Sequence, residues 1–175
     1  INSCSDLMLK IINNSKPVIA EVNGIATAAG CQLVASCDLA YASQVSKFAT
    51  PGVNIGLFCS TPMVALSRVA KNKHSMEMLL TGDFIDANKA KSIGLINNYF
   101  SEEKLVNETR GMAVKIANKS SQTVKIGKKA FYNQVEMNIS DAYRYSSQIM
   151  IENMMNKDSE EGITAFLEKR TPNWP

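Results

Sequence analysis

Residues that build metal sites and covalent frameworks are scarce in this chain. Its 175 residues hold one histidine, His74, and four cysteines, Cys4, Cys31, Cys37 and Cys59. No two cysteines make a C-x-x-C pair, so the donor set of a structural zinc site is missing. Cysteines this sparse also argue against a disulfide framework and fit a reducing compartment. A catalytic thiol needs a neighbouring base or a positive field, and His74 sits far along the chain in a KNKH run. The cysteines therefore read as small apolar fillers. No apolar run approaches the ~20 residues that cross a bilayer. The net charge of +3 is modest. Its excess lies in the C-terminal half, at Lys115, Lys119, Lys125, Lys128 and Lys129. Such a cluster reads first as a solvated helical face. A nucleic-acid surface is the alternative, but the aromatic interleaving that stacks bases is lacking. Internal repeats and low-complexity linkers are lacking too.

What is present is an ordinary globular composition, 45% hydrophobic and 20% charged. A chain of this length buries roughly 70% of its unfolded surface. The most informative stretch runs from Lys16 to Gly56, KPVIAEVNGIATAAGCQLVASCDLAYASQVSKFATPGVNIG. Val18, Ile19, Ala20 and Val22 form a short apolar run between Pro17 and Asn23-Gly24, a strand that ends in a turn. Ala26, Thr27, Ala28, Ala29 and Gly30 then carry almost no side-chain bulk. Leu33, Val34 and Cys37 follow at helical spacing. The first N–H groups of a helix lack intrahelical partners, and the dipole there favours negative charge. An N–H of Ala29 or Gly30 is therefore a natural donor to a carbonyl oxygen that gains charge in a reaction. The same small residues equally suit a close strand–helix crossing.

The rest reads as mainly helical. Ser60-Thr61 are cap candidates for a helix over 62–69, and a second runs over 75–80. Asp86 caps a short helix that Gly94 ends. Ser101 caps another, with Glu102 and Glu103 suited to its dipole and Leu105, Met112 and Ile116 on one face. Ser140 and Asp141 open a long helix with Ile149, Met150 and Met154 inward. Asp158 opens the last, where Ile163, Phe166 and Leu167 make an apolar stripe suited to core or subunit contact.

KPVIAEVNG, the small loop before GCQL, the CDLAYAS strand, FATPGVNIGL, LLTGDFIDANKAKSIGLIN and EGITAFLEKRTPNW together resemble the signature of the crotonase superfamily, the enoyl-CoA hydratases and isomerases. The resemblance covers essentially the whole chain. GCQL with ATPGVNIGLFCSTP is most similar to the subgroup of enoyl-CoA hydratase domain-containing protein three. It implies an α/β fold, a crotonase-like spiral of ββα units with a C-terminal helical trimerisation region. Residues 1–100 then correspond to the C-terminal portion of the ββα core and 101–175 to the oligomerisation region. The chain opens without Met, and DLMLKII reads as a helix already under way. Family members carry a further N-terminal portion with a second oxyanion donor and much of the coenzyme A pocket. The expectation is thus a fragment or a truncated gene product.

The resemblance also carries over site residues, position by position. The helix-start donor falls on Ala29, where the family has glycine; a backbone donor survives that change if φ is negative. The family's two glutamates fall on Gln32 and Gly52. Glutamine orients a water but exchanges no proton near neutral pH, and glycine contributes only space. Positioned acid–base groups typically give ~10²–10⁴ each, and such effects are not additive. An oxyanion donor is worth ~10²–10³. Ala26, Ala28, Gly30, Phe58 and Lys169 are expected to contact substrate, Phe58 as a wall of the acyl chamber and Lys169 near coenzyme A. Thr50, Cys59, Ser60 and Thr61 lie in loops near the expected pocket and are the candidates for a replacement base. Asp38, Asp83 and Asp86 read as structural. No metal and no cofactor beyond the substrate's own coenzyme A are expected. The partner is an acyl-CoA thioester, in a homotrimer or dimer of trimers, without membrane association. The compartment is a mitochondrial matrix or a bacterial cytoplasm. Three activities fit these residues: a weak or altered hydratase or isomerase, a catalytically silent CoA-thioester binder, and an RNA-binding homologue.

Overall fold

The computed structural model describes residues 2–174. It comprises two compact units. The first holds the N-terminal helix and Val18–Ala113; the second holds Ser15–Pro17 and the chain from Val114 onward.

In the first unit, α1 (Asn2–Asn13) precedes β1 (Ile19–Val22) and β2 (Ile25–Thr27), then α2 (Ala29–Ser36). The pattern repeats with β3 (Leu39–Ser43), β4 (Lys47–Ala49), a 3₁₀ turn at Pro51–Ile55 and α3 (Ser60–Val69). Then come α4 (Asn72–Thr81), β5 (Ile85–Asp86), α5 (Ala87–Ile93), β6 (Asn98–Phe100) and α6 (Glu102–Ala117). Each strand–strand–helix turn lays its first strand in one sheet and its second in another. One sheet has the order β1-β3-β6 and the other β2-β4-β5. Ile19 pairs with Leu39 and Ile25 with Lys47, both in parallel. Among the described residues only β5 runs antiparallel, against β4. This is the α/β spiral that the motif blocks imply.

Polar side chains fix the turns of the spiral. Ser46 Oγ donates to Val22 O at 2.9 Å, accepts from Gly24 N at 3.1 Å and meets Ser43 Oγ at 2.8 Å. Gly24 has φ 116°, open to glycine and costly for other residues. Asp38 Oδ2 accepts from Val18 N at 2.6 Å, which confirms its structural reading. The core gathers Cys31, Val34, Ala42, Phe48, Leu66, Met78, Leu79 and Ala90.

The second unit is helical, with α7 (Ser121–Gln134), α8 (Ile139–Met154) and α9 (Lys157–Leu167). Some expected caps shift by a residue or two. Cys59, not Ser60-Thr61, precedes α3, and Asn138 caps α8 by accepting from Asp141 N at 3.1 Å. Asn156 stands before α9. Asp86 does cap α5, accepting from Lys89 N at 2.7 Å, and Gly94 ends it at φ 89°. On α8, Met150 and Met154, expected inward, are exposed while Ile149 is half-buried; on α9, Ile163, Phe166 and Leu167, the stripe suited to core or subunit contact, are exposed too. Their helical spacing holds, and among the described residues nothing covers that stripe.

Candidate active site

The strand register builds the site. Thr27 pairs with Ala49, and Ala28 N donates to Ala49 O at 3.0 Å, so β2 stays hydrogen-bonded to β4 until the chain turns. At that point Ala28 adopts φ 48°, ψ −115°. This region is normally left to glycine, and it redirects the backbone from strand into α2 within one residue. The first helical bond runs from Gln32 N to Ala28 O at 3.0 Å. Ala29, Gly30 and Cys31 therefore keep N–H groups without an acceptor among the described residues. Ala29 is exposed and free of positive φ, and its N–H lies at the positive end of the helix dipole. A Cβ added at Gly30 would meet nothing within 4 Å. The small-residue loop thus leaves open space rather than only relieving a crossing. Ala26, expected in the small loop as a substrate contact, lies in β2 and contributes its side chain to the core.

Gln32 lies one helical turn on and is 4% exposed. Its Oε1 accepts from Cys4 Sγ of α1 at 3.7 Å. Sequence spacing gave no hint of that partner, because the pairing comes from α1 packing on α2. Its backbone carbonyl accepts from Ser36 Oγ at 2.8 Å. The amide is thus held in place and bears no titratable proton.

Gly52 carries a steric constraint that the sequence reading missed. A Cβ there would stand 2.7 Å from Leu57 O and 3.0 Å from Cys59 Sγ. Leu57 N donates to Gly52 O at 2.9 Å, and Gly52 N donates to Cys59 Sγ at 3.4 Å. The chain folds back over Gly52 where a glutamate side chain would leave the backbone. Any side chain at 52 would require the backbone at 57–59 to shift.

Thr50, between β4 and the 3₁₀ turn, is fully buried, and its Oγ1 has no hydrogen-bond partner among the described residues. Phe58 is 42% exposed, with Leu57 and Ile55 exposed beside it in sequence. Cys59 is buried. Burial, then proximity to Cys59, pushes the Cys31 thiol up to about 12, so it is protonated and inert near neutral pH. Ser60 Oγ donates to Phe58 O at 3.3 Å. Lys169 belongs to the other unit, just past α9, at φ 56°. His74 Nδ1 stands 3.9 Å from Glu77 Oε2, away from all of these groups in sequence. No cluster of three metal-ligating side chains occurs among the described residues. No described helix is long and apolar enough to cross a membrane.

This geometry has close counterparts. Residues 2–175 match the enoyl-CoA hydratase/isomerase family. The mitochondrial enoyl-CoA hydratase domain-containing protein 3 of Xenopus laevis is 51% identical over 99% of this chain and 59% of its own length. The human protein of the same name is 52% identical over 98% of this chain and 57% of its own. The solved structure of human enoyl-CoA hydratase domain-containing protein 3 superimposes with a TM-score of 0.97 at 53% identity, covering 99% of this chain and 68% of that one. An enoyl-CoA hydratase structure from Mycobacterium smegmatis gives 0.97 at 50%, covering 99% and 67%. The chain spans less than two thirds of the length of these curated relatives. By fold, motif and identity, the chain belongs to the enoyl-CoA hydratase/isomerase family of the crotonase superfamily, in the subgroup of enoyl-CoA hydratase domain-containing protein three.

Proposed function

We propose that this protein binds an acyl-CoA thioester and polarises its carbonyl at the start of α2, with weak or altered hydratase or isomerase activity. The observation that carries the reading is the row of unpaired N–H groups at Ala29, Gly30 and Cys31, opened by the strained turn at Ala28. A developing enolate oxygen finds fixed donors and a favourable dipole there. Water activation is the missing half. Gln32 replaces one carboxylate with an amide, and the other would require the backbone at 57–59 to shift.

A catalytically silent thioester binder is the second reading, favoured by the crowding over Gly52. The relatives' names support a mitochondrial, CoA-linked setting. The exposed apolar stripes of α8 and α9 support a homotrimer or dimer of trimers. The lysines at 115, 119, 125 and 129 are exposed, as a solvated face requires.

Ala29→Pro tests the central donor. It removes one N–H at the first helical position, where proline is best tolerated. The bound thioester's carbonyl stretch is expected to shift to lower frequency in the wild type. The variant should lose most of that shift while keeping its helical circular dichroism. An unchanged carbonyl frequency in a folded variant would sink the oxyanion reading.

A further inference from the structure

The Gln32 amide is engaged at one end only. The residue is 4% exposed. A glutamine amide carries one acceptor oxygen and two N–H donors. Its Oε1 accepts from Cys4 Sγ at 3.7 Å, and its Nε2 has no partner among the described residues. A donor left unmade in a buried side chain costs its desolvation with nothing in return, so it calls for an acceptor from elsewhere. Unlike Thr50 Oγ1, Nε2 is not fully enclosed, so a ligand can reach it. The helix also sets its direction. Ala29 and Gln32 stand three residues apart, on one face of α2. Helical side chains lean toward the N-terminus, over the preceding turn. Gln32 therefore extends back over the turn that begins at the Ala29 N–H.

Cys4 arrives by a similar logic of faces. Cys4, Met8 and Ile11 fall at i, i+4 and i+7 on α1. Met8 and Ile11 are the buried residues of that helix, and α1 packs on α2. Cys4 is half-buried on the same face. A small apolar residue would pack there as well; the thiol adds a hydrogen-bond donor. That donor occupies the acceptor oxygen of the amide and leaves the N–H bonds for the other side.

Resting on the thioester reading above, we propose that Cys4 is a positioning residue. It fixes the Gln32 amide so that Nε2, not Oε1, faces an acyl carbonyl held on the Ala29 N–H. Gln32 is then an additional donor to that oxygen, whose lone pairs accept more than one hydrogen bond. The amide turned the other way would set two partly negative oxygens against each other. The position where the family carries a glutamate thus gives a hydrogen bond to the ligand instead of taking a proton.

The test is vibrational difference spectroscopy of butyryl-CoA, labelled with heavy carbon at its carbonyl and bound to the intact protein, with Kd from calorimetry. Cys4→Ala is expected to return part of the carbonyl shift toward the free-ligand frequency. It should weaken binding about threefold, the scale of one lost hydrogen bond. Cys4→Ser keeps a donor and should hold the wild-type frequency. Gln32→Leu should lose the same part of the shift, and adding Cys4→Ala to it should change nothing further. A wild-type frequency in Cys4→Ala or in Gln32→Leu overturns the proposal and leaves the thioester reading intact. So does a Cys4→Ala effect that persists in full beside Gln32→Leu, because it would then come from packing. Cys4→Val, nearer the thiol in size, gives the same comparison should Cys4→Ala not fold. A wild type that does not bind butyryl-CoA, or binds it at the free-ligand frequency, overturns both readings.

Discussion

Ala28 holds a backbone conformation of φ 48°, ψ −115° that its methyl group disfavours. Such residues cost about 1–3 kcal/mol and persist where the surroundings over-determine them. Ala28→Gly removes the strain but adds about 0.4–1 kcal/mol of unfolded-chain entropy. The expected net result is a gain of about 1 kcal/mol in denaturant unfolding. A loss of stability would contradict the strain. Gly52 is the opposite case, since a Cβ there meets Leu57 O at 2.7 Å. Gly52→Ala is expected to destabilise by about 1–3 kcal/mol, measured in the same way, as overpacking does. Restoring a glutamate at 52 should therefore impair folding before it aids chemistry, whereas Gln32→Glu introduces no new atoms beyond an oxygen. The motif resemblance assigns the family's two glutamates to positions 32 and 52. It did not show that 52 is crowded, because the obstruction comes from a loop turning back five residues later. Nor did it show that the positive φ falls on Ala28 rather than Ala29.

At the scale of elements, α2 is short, and its use comes from how it begins. Strand register delivers it, and the serine pair Ser43 and Ser46 holds the turn before it. Small residues, Asn-Gly and the cap at Asp86 were legible because their signals are local. The caps at Asn138 and Asn156 were displaced because neighbouring Ser140, Asp141 and Asp158 offer the same chemistry within a turn. The chain's end is a further element that no motif announces. Arg170 Nη1 and Nη2 bind Glu161 at 2.7 and 2.9 Å, and Asn173 N donates to Glu161 Oε1 at 2.7 Å. Trp174 Nε1 donates to Asn118 O at 2.9 Å, with the indole against Gly162. The Arg170 hydrogen bonds, helped by the Asn173 N–H, hold the Glu161 carboxyl down at about 2. A folded-state value below the unfolded one contributes stability above the unfolded pKa, lost as pH falls through the folded value. Tail docking is thus expected to hold at neutral pH and weaken from about 4.5 down to about 2. Trp174, the chain's single tryptophan, reports it by fluorescence. Glu161→Gln should already show the released signal at neutral pH; a signal insensitive to both changes would refute the anchor.

Over the whole molecule, the feature that stands out is uncovered apolar surface. Phe166 is 81% exposed and Met155 83%, and Ile139 and Leu167 follow closely. Surface of this kind marks an interface in a stable protein. These four residues belong to the second unit, while Ile25 at 69% and Ile55 at 77% are exposed in the first. The intact protein is expected to run as an oligomer by light scattering, a trimer or a multiple of it. A monodisperse monomer at micromolar concentration would exclude the proposed assembly. The sequence announced the stripes but not their exposure, because helical spacing alone does not say which molecule covers a face.

The central claim is a site that polarises a thioester without the paired carboxylates that hydrate it. The most direct test is crotonyl-CoA turnover by the intact protein, followed as loss of the enoyl absorbance alongside a binding titration. Binding with turnover at least about 10²-fold below a two-glutamate relative is the predicted result, the effect of losing one positioned acid or base at the low end of its range. Turnover equal to such a relative would contradict the account and show that a group other than Gln32 and Gly52 activates water.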